Sequence, residues 1–135
     1  MTVDTRRLEG VSSTVLDAVD GVREQFPGHA VEVAPDGTGG VIVIVANAPT
    51  GGPYVEEVTW LGFQISSAYP MADIYPHFVG RLTRVDGAAH GEGFAETQWQ
   101  GRPALQLSRR SNRWNADIDT AGLKAMKVLA WLASR

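Results

Sequence analysis

The segment "SSAYPMADIYPHF" at residues 66–78 determines where the chain leaves the sheet, because it places two Tyr-Pro pairs directly after a stretch with the pattern of a buried strand. Proline fixes its own φ at about −65° and pushes the preceding residue into extended geometry, which here applies to Tyr69 and Tyr75. Proline also lacks the amide that a sheet ladder needs. The sequence therefore predicts that a strand ends here and that the chain leaves the sheet through a stiff, aromatic bend.

Strand patterns lie on both sides of this bend. Leu61, Phe63 and Ile65 alternate with small or polar residues, as in a strand that buries one face. Upstream, "VEVA" (31–34) and "VIVIVA" (41–46) flank the turn-rich "PDGTGG", which predicts a β-hairpin whose second strand is central. Downstream, "FVGRLTRV" (78–85) predicts a fourth strand. Together these patterns predict a four-stranded antiparallel meander.

A helix is predicted at each end of the chain. The N-terminal helix is indicated by apolar residues at spacings of three and four, before Pro27 and Gly28 end it: Leu8, Val11, Val15, Val19, Val22 and Phe26. The C-terminal helix is expected to begin at a cap on Asp119 or Thr120 and to run through Ser134. Capping also explains the pair Asp117 and Asp119 better than acid–base chemistry does.

Two details of the helical and extended pattern complete the expected α+β fold. Lys124 and Lys127 are taken to mark the solvent edge of the C-terminal helix. Between Phe94 and Asp119 the periodicity is too weak to assign more than a short extended piece within residues 94–108.

Composition limits the classes of function. The 135 residues are consistent with one domain, 1–135, and their 44% hydrophobic and 20% charged content is that of a folded chain. A formal net charge of −3 argues against nucleic acid as a partner. No apolar run is long enough for a membrane span, and "MTVDTRRLEG" lacks the apolar core of a secretory signal, so a cytoplasmic protein is expected.

Residue types also restrict the chemistry. The chain has no cysteine, which excludes disulfides, thiolate zinc sites and cysteine nucleophiles. The three histidines, His29, His77 and His90, are scattered without metal-ligand spacing, so neither a metal site nor a cofactor is predicted. His77 directly follows the second Tyr-Pro pair and is the histidine most expected at a functional surface.

The order of elements and two segments resemble the ubiquitin-conjugating-enzyme and RWD-like fold. "FQISSAYPMADIYPHF" (63–78) is similar to the Tyr-Pro motif that follows the third strand of that family. "LQLSRRSNRWNADIDTAGL" (105–123) is similar to the segment that runs from the catalytic cysteine through an Asn-Arg-Trp-type sequence into the next helix. The resemblance implies a divergent prokaryotic member of the family, and hence a bacterial protein.

The same resemblance implies that thioester chemistry is absent. Counted back from Trp114, the position of the family's cysteine is Gln106, and an alignment shift would place Ser108 or Ser111 there instead. A hydroxyl is a weak nucleophile without a neighbouring base, and the sequence indicates none nearby. The family's His-Pro-Asn motif is also absent, since the equivalent region reads "GFAETQWQ" (93–100) and His90 does not replace it.

Two surface segments are the candidates for binding. One is the bend, with Tyr69, Pro70, Tyr75, Pro76 and His77; the other carries Arg109, Arg110, Arg113 and Trp114. Arginine and tryptophan are enriched at interface hot spots, and guanidinium groups bind carboxylates in a fork. The alternatives are a bend that is only structural, a Trp114 that packs in the core, and arginines that are merely solvated.

The expected function is therefore that of a non-catalytic ubiquitin-conjugating-enzyme-like domain that binds a protein, either a ubiquitin-like modifier or its activating enzyme, in a bacterial modification system. Two alternatives stay open. One is a cysteine-less conjugating enzyme acting through Ser108 or Ser111, and the other is a structural subunit used for oligomerisation. The sequence does not indicate the oligomeric state.

Overall fold

The computed structural model describes residue 8 and residues 10–135, which form an α+β fold with one helix before a six-stranded sheet and one after it. In chain order the elements are α1 Ser13–Gln25, β1 Val31–Pro35, β2 Val41–Pro49, β3 Val58–Ile65, β4 His77–Val79, β5 Phe94–Trp99, β6 Arg102–Leu107 and α2 Ala121–Ala133. All neighbouring strands are antiparallel, in the order β1-β2-β3-β4-β6-β5. Within these residues, no helix is long and apolar enough to cross a membrane.

The first three strands confirm the prediction, and β2 lies inside the sheet between β1 and β3. The fourth strand is shorter than predicted, because it ends at Val79 rather than at residue 85. There the amide of Gly80 donates to the side-chain oxygen of Thr59 at 3.0 Å, so the backbone ladder with β3 stops.

The predicted count of four strands is wrong, because β5 and β6 form a hairpin in the stretch where periodicity is weak. Gln100 and Gly101 connect them with φ of 51° and 75°, the positive values that a tight hairpin turn requires. β5 is an edge strand whose side chains are exposed or only partly buried, with Glu96, Thr97 and Gln98 in succession at its centre, so it lacks the apolar alternation of a buried strand. β6 lies between β4 and β5, and the sheet is therefore not a simple meander.

Both helices end where the sequence predicts, but α1 begins later than Leu8. Ser12 caps α1 by accepting a hydrogen bond from the amide of Val15 at 3.2 Å. Thr120 caps α2 in the same way, accepting from the amide of Leu123 at 3.1 Å. Asp119, the other expected cap, instead accepts a hydrogen bond from the amide of Asn115 at 2.7 Å.

The two faces of the sheet differ in how they are covered. α1 and α2 pack together and bury their apolar stripes in a core shared with the inward side chains of the strands. The outer face carries a stack of aromatic rings, in which Trp99 lies parallel to Phe78 at 4.7 Å and to Trp60 at 5.8 Å. Gly62 leaves the room for this stack, since a Cβ there would clash with the ring of Trp99.

The crossing of the two helices gives a test of this packing. A Cβ on Gly122 would lie 2.7 Å from the carbonyl oxygen of Gly21, whereas a Cβ on Gly21 would meet nothing within 4 Å. We expect Gly122→Ala to destabilise the protein by about 1–3 kcal/mol through overpacking. The matched Gly21→Ala should stabilise it by up to about 1 kcal/mol through helix propensity. Chemical denaturation of both variants checks this, and equal effects would contradict the close helix crossing.

Candidate functional site

The Tyr-Pro bend (residues 66–76) and the arginine segment (residues 108–115) form one surface rather than the two predicted. The indole nitrogen of Trp114 donates to the carbonyl oxygen of Pro70 at 2.7 Å, and its ring packs edge-on to Tyr69 at 6.4 Å. The guanidinium of Arg110 lies over the ring of Tyr75 at 4.2 Å. The bend therefore acts as a support for the arginine segment.

A half-buried ionic cluster, here called the Asp73 clamp, joins these two segments to α2. Lys124 donates to both carboxylate oxygens of Asp73 at 3.0 Å and to the hydroxyl of Ser111 at 2.7 Å. The amide of Ser111 donates to Asp73 at 2.8 Å. Every ammonium proton of Lys124 thus has an acceptor, although its side chain is only 5% exposed.

The clamp is electrostatically balanced. Burial alone would raise the pKa of Asp73, but the hydrogen bonds from the Ser111 amide and from Lys124 outweigh it and keep this pKa below its usual value. His77 is close enough to feel both charges. Its complete burial and the nearby Lys124 lower the pKa of His77 to about 3, while Asp73 opposes the shift. The clamp therefore remains ionised beside a neutral imidazole at neutral pH.

A cleft of about 330 Å³ opens between the arginine segment and α2. It is lined by Arg109, Arg110, Ser111, Asn112, Arg113, Ile118, Asp119, Lys124, Lys127, Val128 and Trp131. Arg109 lies over the ring of Trp131 at 5.1 Å, and Lys127 is 3.8 Å from a carboxylate oxygen of Asp119. Of the five cations in this lining, Lys124 contacts Asp73 and Lys127 contacts Asp119. The three arginines therefore make the cleft a positive region on a chain of net charge −3.

Two of the predicted surface residues belong to the core. Tyr69 is 9% exposed and His77 is fully buried on β4, where its ring lies 5.1 Å from that of Phe63. β4 turns His77 to the inner face, because the strand resumes immediately after Pro76 and its register pairs His77 with Phe63. Pro70, Tyr75 and Pro76 are half-buried, and Trp114 packs partly against the core.

Two of the three positions considered for catalysis, Gln106 and Ser108, contact each other outside the cleft lining. Gln106 is on β6, paired with Phe78 on the outer face of the sheet, and its side chain donates to Ser108 at 3.4 Å. Ser108 and Arg110 beside Tyr75 lower the pKa of that phenol. Only Ser111 lines the cleft.

Ser111 has the charged neighbours that sequence reasoning did not find, but their arrangement is that of a structural contact. Its hydroxyl accepts from Lys124 at 2.7 Å and lies 3.2 Å from Asp73. Lys124 donates to this hydroxyl and to both carboxylate oxygens of Asp73, so all three of its donors are used in the cluster. The geometry therefore uses Ser111 to hold the arginine segment to α2.

Sequence reasoning missed Asp73, Lys127, Trp131 and the buried position of Lys124. A signal for Lys124 was present, because it lies on the buried stripe of α2 with Ala121, Ala125 and Val128 rather than at the solvent edge. Asp73 gives no comparable signal, since it stands in an irregular bend between two prolines. Its partner is 51 residues away in sequence.

The histidines make separate contacts. His29 bonds the carbonyl oxygen of Ala46 at 2.9 Å, and His90 bonds that of Leu82 at 2.8 Å. Among residues 8 and 10–135, no group of three acidic or histidine side chains is placed to hold a metal ion.

Comparison of the chain with protein-family models, with curated proteins and with solved structures gave no match.

Proposed function

We propose that this chain is a non-catalytic, ubiquitin-conjugating-enzyme-like domain that binds an acidic segment of a protein partner in the cleft beside α2. The observation that carries the proposal is the set of three arginines at this cleft, Arg109, Arg110 and Arg113. Guanidinium groups pair with carboxylates through two parallel hydrogen bonds, which makes them suited to aspartate and glutamate side chains.

The arginines are held in place before a partner arrives. Stacking on Trp131 and Tyr75 restricts Arg109 and Arg110, and the Asp73 clamp fixes the backbone between them and Arg113. Less side-chain entropy is then lost on binding than with free arginines. Support for a binding role over a catalytic one comes from the absence of cysteine and from the ionic contacts that occupy Ser111.

A protein is the partner class that the charge distribution favours. The cleft gathers five of the twelve Lys and Arg residues of an acidic chain in a volume of about 330 Å³, which is small beside the extended basic surface that a nucleic acid requires. The relation to ubiquitin-like modification, with a modifier or its activating enzyme as partner in a bacterial system, rests on the resemblance of the Tyr-Pro and Asn-Arg-Trp segments.

The test measures binding of a fluorescent Glu-rich peptide by anisotropy. We expect Arg110→Ala/Arg113→Ala to weaken binding at least about tenfold, because a hydrogen bond to a charged group contributes about 1.5–3 kcal/mol. Salt should weaken binding to the unmodified protein, and the same peptide with Gln in place of Glu should not bind.

The matched control is Arg81→Ala/Arg102→Ala, which removes two arginines that do not line the cleft and should leave the affinity unchanged. Equal losses in the two variants would show that only net charge matters and would reject the cleft. A tagged pull-down from host extract, with the Arg110→Ala/Arg113→Ala protein as reference, then identifies partners that depend on the cleft and whether they belong to a modification pathway.

A further inference from the structure

α1 presents an acidic stripe to solvent. Asp17, Asp20 and Glu24 are exposed and follow at spacings of three and four, so they lie along one side of the helix. The opposite side buries Val15, Ala18, Val19 and Val22 against the sheet. The stripe thus faces away from the sheet.

α2 presents an apolar stripe beside it. Leu123 and Met126 are 42% and 41% exposed, and Ala130 follows on the same side of the helix. α2 also buries its other side on the sheet, so the exposed stripes of both helices face in the same direction.

The three features occur in a fixed order across the helical face. The close approach of Gly122 to the Gly21 carbonyl places α1 against one side of α2. Lys124, Lys127 and Trp131 line the arginine cleft on the other side. The acidic stripe therefore lies at one edge of this face, the apolar stripe in the middle and the basic cleft at the other edge. The two edges carry opposite charge and are complementary to each other.

We propose that this face binds a second copy of the chain. A two-fold axis running along α2 places each acidic stripe opposite the partner's basic cleft and brings the two apolar stripes together at the centre. Such an interface is isologous and closes with two copies. The inference rests on the proposed function, because it supplies the acidic segment that the cleft takes.

The second copy is favoured over another acidic protein because the acidic stripe and the basic cleft lie on the same face. The two-fold rotation therefore forms the contact between stripe and cleft twice in one dimer. The exposed apolar area is small, so the dimer is of the weak, low-area class. A partner with a stronger acidic segment would compete with the second copy for the same arginines.

The first measurement is sedimentation equilibrium of the unmodified chain at rising concentration. We expect the weight-average mass to rise from 14.5 kDa toward twice that value at low salt, and to return toward one chain at high salt. A mass that stays at one chain at every concentration would overturn the proposal.

Charge exchange tests the geometry. Asp17→Lys/Asp20→Lys/Glu24→Lys makes both edges basic, and Arg109→Glu/Arg110→Glu/Arg113→Glu makes both edges acidic. Each variant alone should be monomeric, whereas an equal mixture should form a heterodimer. One protein carrying all six changes should dimerise again. If the variants that fold, as judged by circular dichroism, do not pair in this pattern, the proposed interface is wrong.

Two further comparisons separate this inference from the proposed function. Glu57→Lys/Glu92→Lys/Glu96→Lys changes the net charge equally at exposed residues outside α1 and the cleft, and should leave dimerisation unchanged. The Glu-rich peptide should dissociate the dimer. A chain that binds this peptide while remaining monomeric at all concentrations would retain the proposed function and lose the dimer.

Discussion

Replacing Asp73 by alanine is expected to lower the free energy of unfolding by about 3–5 kcal/mol, the cost typical of leaving one partner of a buried ion pair alone. Lys124 loses two of its three acceptors in this variant, and its 5% exposed side chain cannot regain them from water without opening the packing around α2. The amide of Ser111 also loses its acceptor. Urea denaturation at pH 7 measures the change.

The double variant Asp73→Ala/Lys124→Met is the control, because it removes the buried charge together with its partner. Most of the lost stability should return, since well-packed apolar groups commonly replace a buried ion pair at little cost. If Asp73→Ala costs less than about 1 kcal/mol, the pair behaves as an exposed one. In that case the clamp does not hold the arginine segment in place.

The clamp also predicts a functional consequence that stability alone does not give. Asp73 does not line the cleft, but it fixes Ser111 between Arg110 and Arg113. In the absence of urea, the folded Asp73→Ala protein should bind the Glu-rich peptide with lower affinity than the unmodified protein does. The Asp73→Ala/Lys124→Met variant should not restore this affinity even though it restores stability, because the hydrogen bonds to Ser111 remain absent and Lys124, one of the cations that line the cleft, is lost as well.

The elements that the sequence predicts are those with an apolar period. β2, β3 and both helices each bury a regular stripe, and periodicity reveals such stripes directly. β1 buries only Val31 fully, and the turn-rich connector to β2 is what predicted it. The sequence does not predict the hairpin of β5 and β6, because its edge strand β5 buries little. Neither face of β5 carries a row of buried apolar side chains, since the strand has Glu96 and Thr97 at its centre. The sheet therefore gained two strands where local signals were weakest.

The site could be predicted only in its chemistry. Three arginines and a tryptophan within six residues indicate a binding segment, but nothing in them shows that Trp114 reaches Pro70, which is 44 residues away. His77 and Lys124 are polar residues at buried positions, and residue type alone places both at the surface. Such exceptions depend on tertiary partners, which local sequence does not specify.

Buried His77 predicts a loss of stability in mild acid. Its pKa is about 3 in the folded protein, below the ordinary 6.5 of the unfolded chain, so the unfolded state binds the extra proton between these values. Above pH 6.5 both states are neutral. As the pH falls below 6.5, stability should drop by about 1.4 kcal/mol per pH unit, or roughly 2.7 kcal/mol by pH 4.5. Urea denaturation from pH 7.5 to 4.5 gives the slope.

The carboxylates affect stability at lower pH than His77 does. The pKa values of Asp36, Glu56 and Asp73 are lowered by folding, so their contributions are present above the ordinary values of 3.8 to 4.5 and are lost only as the pH falls through the folded values. A change in the free energy of unfolding between pH 6.5 and 4.5 therefore arises mainly from histidine side chains. Acid loss confined to the region below pH 4.5 would assign the effect to the carboxylates and contradict the burial of a neutral His77.

His77→Phe isolates the group responsible. It keeps a planar ring against Phe63 and removes two ring nitrogens for which the described residues provide no hydrogen-bond partner. We expect the variant to lose most of the pH dependence between 6.5 and 4.5 and to be at least as stable as the parent at pH 7, because an unpaired buried polar group costs about 1–3 kcal/mol. His29→Gln is the matched control and should keep the slope. If His77→Phe instead keeps the parent slope, His77 does not cause the pH dependence, and its pKa is not lowered in the folded protein.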